Sequence, residues 1–362
     1  MLSLPDFPWD ELDEAKTRAK SHPEGLIDLS VGSPVDDTPE SLQDALADAS
    51  NSPSYPTVRG GLHTRQSLAT WWQEVRGAGS VTRDGVVPTI GSKEMVGLLP
   101  LLLGLGPGDT VVHPRIAYPT YAVGAALVGA TALAIDEPEQ WPEGTKLVWL
   151  NSPSNPTGEV LDVDYLHAAI SRARHIGAVV ASDECYASLG APGLPVTPSL
   201  LSDDVTGGDI SGLVALYSLS KQSNLAGYRA AMIAGDPAVL DPVVLARRHL
   251  GLMAPEPIQH VLRVALSDLA HVESIRQLYW QRRAVLQPAV EAAGLEITGG
   301  DAGLYLWATN GQPSMETVLS LADRGILVAP GHFYGEAGAR HVRIALTASD
   351  ADIEVAASRL SS

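Results

Sequence analysis

"LVALYSLSKQSNLAGYRA", residues 213–230, decides how the rest of the chain is read. It opens as an apolar run, Leu213 to Leu219, of the kind a strand covered on both faces requires. Within and just after that run come Ser218, Ser220 and Lys221, and Arg229 follows eight residues after the lysine. A plain strand end needs neither both hydroxyls nor both cations. A ligand with an electrophile for the lysine and an anion for the other groups would use all four. The plainer reading of Lys221 is a solvated loop lysine.

Working outward, similar short apolar runs recur at 85–90, 109–114, 146–150 and 177–182, alternating with helical segments such as 164–177. That alternation predicts an α/β fold with a parallel sheet sandwiched between helices. The tail reads differently. Residues 257–294 carry a long amphipathic helical pattern with a break expected near Pro288, followed by strand-like runs at 304–309, 325–330 and 341–347. The expected organisation is an N-terminal segment (1–40) packing on the smaller unit or on a partner subunit, a large domain (41–256), and a smaller α/β domain (257–362).

Composition narrows the function. In 362 residues, 24 basic side chains face 42 acidic ones, a formal charge of −18. Nucleic acid and anionic membranes call for a basic face, so neither is an expected partner. An anionic ligand must be held by a few placed cations. Cys185 is the single cysteine, which excludes an internal disulfide and a cysteine zinc site, and no metal site is expected. The opening "MLSLPDFPWDELDEAK" has no basic start and no apolar run, so no signal peptide and a cytoplasmic location are expected.

Chemistry in such sheets gathers at the carboxyl ends of the strands. After 85–90 comes Gly91-Ser92-Lys93, a tight turn opening a helix, which suits a phosphate or simply an N-cap serine. After 146–150 comes "NSPSNPTG", where two prolines stiffen the loop around Asn155; an Asx turn is the alternative. After 177–182 come Asp183, Glu184, Cys185 and Tyr186. An aspartate ending a buried strand needs a cation, a capping role or solvent. Read together, these strand ends describe a ligand with an aldehyde for Lys221, a phosphate for Ser92, Ser218, Ser220 and Arg229, a protonated ring nitrogen for Asp183, and a phenolic oxygen for Asn155 and Tyr186. Pyridoxal 5′-phosphate has all four features.

The motifs "NSPSNPTG", "SDECY", "SLSKQSNLAGYR" and "HVRIALT" resemble, in order, those of the class I/II, fold-type I pyridoxal-phosphate aminotransferases. The resemblance implies a mostly parallel seven-stranded sheet in the large domain. It implies that Lys221 forms the imine with the cofactor and shuttles the proton, that Asp183 partners the ring nitrogen, and that Asn155 and Tyr186 contact the phenolic oxygen. Ser92, Lys93, Ser218, Ser220 and Arg229 would form the phosphate cup, and Tyr118 in "AYPTY" would stack on the ring. Tyr55 would reach the phosphate of a neighbouring subunit, which implies a homodimer with shared sites. Arg343 would clamp the substrate α-carboxylate, with Asn155 and the Gly32 backbone beside it. Tyr55, Tyr118 and Arg343 also have plainer readings, as core aromatics and a surface ion pair.

The stretches "LPDFPW", "DLSVGSPVD", "ASDECY" and "RGILVAPGHFYGEAGARHVRIALTA" are similar to those of actinobacterial N-succinyldiaminopimelate aminotransferases of lysine biosynthesis. That likeness implies amino transfer between glutamate and N-succinyl-2-amino-6-oxopimelate, with Arg59 or Arg115 as a distal cation. The rivals are an aminotransferase for aspartate, aromatic amino acids or LL-diaminopimelate, a pyridoxal-phosphate lyase, and a ligand-binding regulator on the same fold.

Overall fold

The computed structural model describes residue 4 and residues 8–193 and 196–361. Residues 5–7 of the "LPDFPW" stretch lie outside the described residues.

Seven strands form the central sheet in the order Val86–Ile90, Ala230–Gly235, Leu213–Ser218, Val179–Asp183, Thr145–Asn151, Thr110–His113, Thr131–Ala134. Only Ala230–Gly235 runs against its neighbours; the other pairings are parallel. Both faces are buried: Val148, Val180 and Ala215 point into one core, and Leu147, Ala181 and Val214 into the other. This is why the strands read as continuous apolar runs. The helix Val163–Ile176 illustrates the covering layer. Asp162 caps it by accepting from Tyr165 N at 2.7 Å, Gly177 ends it at φ +71°, and Leu166, Ala169, Ile170 and Ala173 form its buried stripe.

A second core lies beside the first. It holds an antiparallel sheet in the order Ala329–Pro330, His341–Ala345, Tyr305–Thr309, Glu296–Ile297. The N-terminal helix Asp13–Lys20 and the strand Ile27–Asp28 join this core through Leu12, Ala15, Ile27 and Leu29, and the strand pairs in parallel with Ile326–Leu327.

Two features differ from expectation. The strands Thr131–Ala134 and Ala230–Gly235 were not foreseen, because "TALA" and "AAMIAG" are rich in alanine, a weak strand former. The run 257–294 breaks at 268–269, not at Pro288. It forms the helices Glu256–Ser267 and Ala270–Ala292, with Pro288 inside the second. Burial of Leu286, Ala289 and Val290 around that proline outweighs the hydrogen bond it loses. The two helices also serve different cores. Val261, Leu262 and Ala265 of the first pack with the central sheet, while Ile275, Tyr279 and Leu286 of the second pack with the smaller one. The change of core therefore falls at 268–269, not at 256/257. Among the described residues no helix is long and apolar enough to cross a membrane.

Candidate active site

The carboxyl ends of the parallel strands and the edge of the second core enclose a cleft of about 530 Å³. Lys221 sits one turn beyond Leu213–Ser218, in the short helix Leu219–Gln222, which Ser218 Oγ caps by accepting from Ser220 N. Its Nζ donates to the Gly32 carbonyl. Burial pulls the Lys221 amine below the usual lysine value; the Tyr305 phenol opposes this and Arg343 reinforces it. A desolvated amine with a lowered proton affinity is what nucleophilic attack on a carbonyl needs.

Asp183 ends the neighbouring strand and is only 7% exposed. Its Oδ2 accepts from Tyr121 Oη at 3.1 Å and its Oδ1 from Cys185 N at 3.2 Å. Burial lifts its carboxyl above the ordinary value, partly offset by these hydrogen bonds. Among the described residues no salt bridge reaches Asp183 or Arg343. A buried carboxylate facing the cleft without a salt-bridge partner is a seat for a cationic ligand atom.

At the far side, Gly91 turns at φ +72° into the helix Ser92–Leu102, and its N–H donates to the Arg229 carbonyl at 2.8 Å. Arg229 itself takes a left-handed φ of +58°, rare for a side chain of its size. An added Cβ at Gly91 would lie 2.0 Å from Arg229 Nη2. Ser218 Oγ and Ser220 Oγ are 2.9 Å apart beside this corner. Hydroxyls, a guanidinium and a helix N-terminus converge as a phosphate requires. Gly91→Ala is expected to strain the turn by about 1–3 kcal/mol and push on Arg229, lowering cofactor affinity at least about tenfold. Release of cofactor on dialysis measures it.

The loop after Thr145–Asn151 is tied down by Asn151. Its Nδ2 donates to the Asp183 carbonyl at 2.8 Å and its Oδ1 accepts from Asn155 N at 2.7 Å. Asn155 Oδ1 in turn accepts from Arg343 Nη1 at 2.9 Å, and Arg343 Nη2 donates to the Ser30 carbonyl at 2.7 Å. The Arg343 guanidinium is buried, and its Nε has no hydrogen-bond partner among the described residues. A buried guanidinium close to the lysine, with no carboxylate partner among the described residues, fits a carboxylate.

Glu184 anchors the Asp183–Tyr186 segment from behind. Its Oε2 pairs with Arg76 Nη2 at 2.6 Å, and its Oε1 accepts from Ser199 Oγ at 3.0 Å and Leu200 N at 2.9 Å. Both side chains are 1% exposed. Arg76→Ala strands the Glu184 charge, so unfolding free energy is expected to fall by about 3–5 kcal/mol in denaturant titration.

Of the residues singled out in the sequence, Gly32, Ser92, Lys93, Tyr118, Asn155, Asp183, Tyr186, Ser218, Ser220, Lys221, Arg229 and Arg343 all line this cleft. Tyr55 does not; it is 95% exposed. Arg59 is occupied by Asp241 and the Asp84 carbonyl, away from the cleft. Arg115 borders an adjoining apolar chamber of about 950 Å³, which shares Trp9, Lys93 and Tyr118 with the cleft. Tyr121, Asn151 and Tyr305 also line the cleft and were missed. Tyr121 had a signal, as the second tyrosine of "AYPTY"; Tyr305 sits in an ordinary-looking strand.

A buried lysine, a buried carboxylate without a salt bridge, a corner of hydroxyls beside a guanidinium and a helix N-terminus, and a buried guanidinium without a carboxylate partner fit pyridoxal 5′-phosphate with an amino acid. On a doubly wound sheet this defines a pyridoxal-phosphate enzyme of fold type I. The chain belongs to the class I and II aminotransferases, whose family model matches residues 24–360. It is 49% identical over 361 residues to the 4-dedimethylamino-4-oxo-anhydrotetracycline transaminase OxyQ of Streptomyces rimosus, covering 99% of this chain and 100% of that one. It is 30% identical to the LL-diaminopimelate aminotransferase of Aquifex aeolicus, covering 99% and 96%. Among solved structures, a "probable N-succinyldiaminopimelate aminotransferase" of Thermus thermophilus superposes with a TM-score of 0.88 at 30% identity, covering 98% of this chain and 99% of that one.

Proposed function

We propose that this aminotransferase moves an amino group between glutamate and N-succinyl-2-amino-6-oxopimelate. The observation that carries amino-acid chemistry is Arg343, buried near Lys221 with Nε free for a carboxylate. The succinylated acceptor is supported by the sequence likeness and by the name of the Thermus relative. Lys93, Arg115, His113 and His332 on the walls of the adjoining chamber could meet its distal carboxylates.

Pyridoxal phosphate, when bound, supplies the aldehyde that takes up the amino group and the ring that accepts electrons from the substrate Cα. Arg343 and Asn155 orient the α-carboxylate. Lys221 Nζ, whose hold on a proton burial weakens, takes the Cα proton. Asp183 would hold the ring nitrogen as a cation. Tyr118 would lie against the ring, and the Ser92 turn, Ser218, Ser220 and Arg229 would grip the phosphate.

The site is proposed to be shared in a homodimer. Tyr55 is almost wholly exposed, and Leu62, Leu245 and Leu250 are exposed apolar side chains as well. Sedimentation of the holoenzyme tests this.

A second reading has an observation of its own. The chamber wall carries Trp9, Val123, Ala126, Phe333 and Tyr334, which suits a bulky ring ketone like the acceptor named for the Streptomyces relative. Single-turnover absorbance separates the two. Glutamate is expected to bleach the lysine-bound cofactor, and N-succinyl-2-amino-6-oxopimelate to restore it. Recovery only with a fused-ring ketone selects the second reading. Recovery with neither but with another oxo acid discards both and keeps the aminotransferase.

A further inference from the structure

Tyr305 lies in the strand Tyr305–Thr309, wholly inside the protein, between the two functional halves of the cleft. Its ring carries the Arg343 guanidinium, whose carbon sits 4.0 Å from the ring centroid. Its hydroxyl lies 3.2 Å from the Tyr186 hydroxyl, the rings meeting edge-on at 5.8 Å. The strand holds it firmly: Arg283 Nη2 donates to the Tyr305 carbonyl at 3.0 Å, and the residue pairs with Ala345. Space is tight at its tip, where a Cβ on Gly32 would fall 2.0 Å from Tyr305 Oη. That close approach explains why glycine stands at position 32, whose carbonyl accepts from Lys221.

We infer that Tyr305 is a positioning residue with two separable tasks: its ring seats Arg343 for the substrate carboxylate, and its hydroxyl fixes the Tyr186 hydroxyl beside the cofactor. The inference rests on the reading of the cleft as a pyridoxal-phosphate site. Either hydroxyl can donate in that pair, and the 3.2 Å contact ties Tyr186 to Tyr305 in both cases. The groups around Tyr305 are the Arg343 and Arg283 guanidiniums, the Lys221 amine and the Tyr186, Tyr279 and Tyr334 phenols. A ring under a desolvated guanidinium is worth about 0.5–2 kcal/mol and keeps the planar fork from turning away.

The two tasks come apart in two variants. Tyr305→Phe keeps the ring and removes the hydroxyl; Tyr305→Leu removes both. The readouts are the pH midpoint of the visible absorbance of the lysine-bound cofactor, and the dissociation constant of glutarate, a dicarboxylate that does not react. Loss of the Tyr305 hydroxyl changes how Tyr186 hydrogen-bonds the phenolic oxygen, and so how tightly the neighbouring proton is held. Tyr305→Phe is expected to shift the midpoint by about half a pH unit or more, corresponding to about 0.7 kcal/mol, and to leave glutarate binding within about twofold. Tyr305→Leu is expected to shift the midpoint equally and to weaken glutarate about tenfold. An unmoved midpoint in Tyr305→Phe overturns the hydroxyl's task, and equal glutarate binding in both variants overturns the ring's. A wild-type protein without lysine-bound absorbance would instead sink the reading of the cleft itself.

Discussion

Lys221→Ala is expected to reduce steady transamination by at least about ten thousandfold, because in the proposed assignment one amine would supply both the covalent attachment of the cofactor and the base for the Cα proton. No other amine can take over at the lysine position. Lys93 Nζ is turned to the Tyr118 ring, 5.9 Å from its centroid, and the other cations of the cleft, Arg229 and Arg343, carry guanidiniums and no amine. The measurement is turnover of the purified variant loaded with cofactor, alongside its visible spectrum. Sustained multiple turnovers by the variant would remove Lys221 from the chemistry.

Asp183→Asn lowers turnover by about a thousandfold, the scale of losing one placed electrostatic partner in a dry site. It also changes how cofactor binding depends on pH. The folded-state carboxyl sits above its ordinary value because burial outweighs the hydrogen bonds from Cys185 and Tyr121, and the Glu184 charge adds to the rise. A carboxyl with a raised folded value binds protons more tightly in the folded chain than in the unfolded one. Its contribution to stability is therefore present at low pH and lost as pH climbs from the unfolded value through the folded one. A cationic ring nitrogen cancels that loss. The gain in Tm on loading the cofactor should grow from the ordinary carboxylate range towards neutral pH, and Asp183→Asn should flatten the growth. A pH-independent gain in the wild type would place the ring nitrogen elsewhere.

These two residues were legible in the sequence because each ends a strand with a side chain that the strand's apolar pattern does not explain. The same logic found Asn155 and the Gly91–Ser92 turn. It failed where the side chain fits its local pattern. Tyr305 alternates normally within "LYLWAT", and only the pairing of that strand with His341–Ala345 brings it under Arg343. Asn151 opens the loop "NSPSNPTG" with nothing local to mark it, yet its amide links the Asp183 backbone to Asn155. Tyr121 carries no mark of its own beyond standing in "AYPTY"; it bonds Asp183 and stacks on Trp149 at 5.0 Å.

The order of residues along the chain was enough to read the alternation of buried strands and helices, the strand-end residues, and through them the cofactor chemistry. Those features are local, since a strand covered on both faces must be apolar and a turn gripping phosphate must be small and polar. The tertiary structure decided what depends on distant parts of the chain meeting. It placed Arg343 against Asn155 across 188 residues and Lys221 against Gly32 across 189. It moved the break in the C-terminal helical run to 268–269, where one helix leaves the first core and the next enters the second. Packing sets these arrangements, because burying each helix face against its own sheet outweighs the local preference of a single proline.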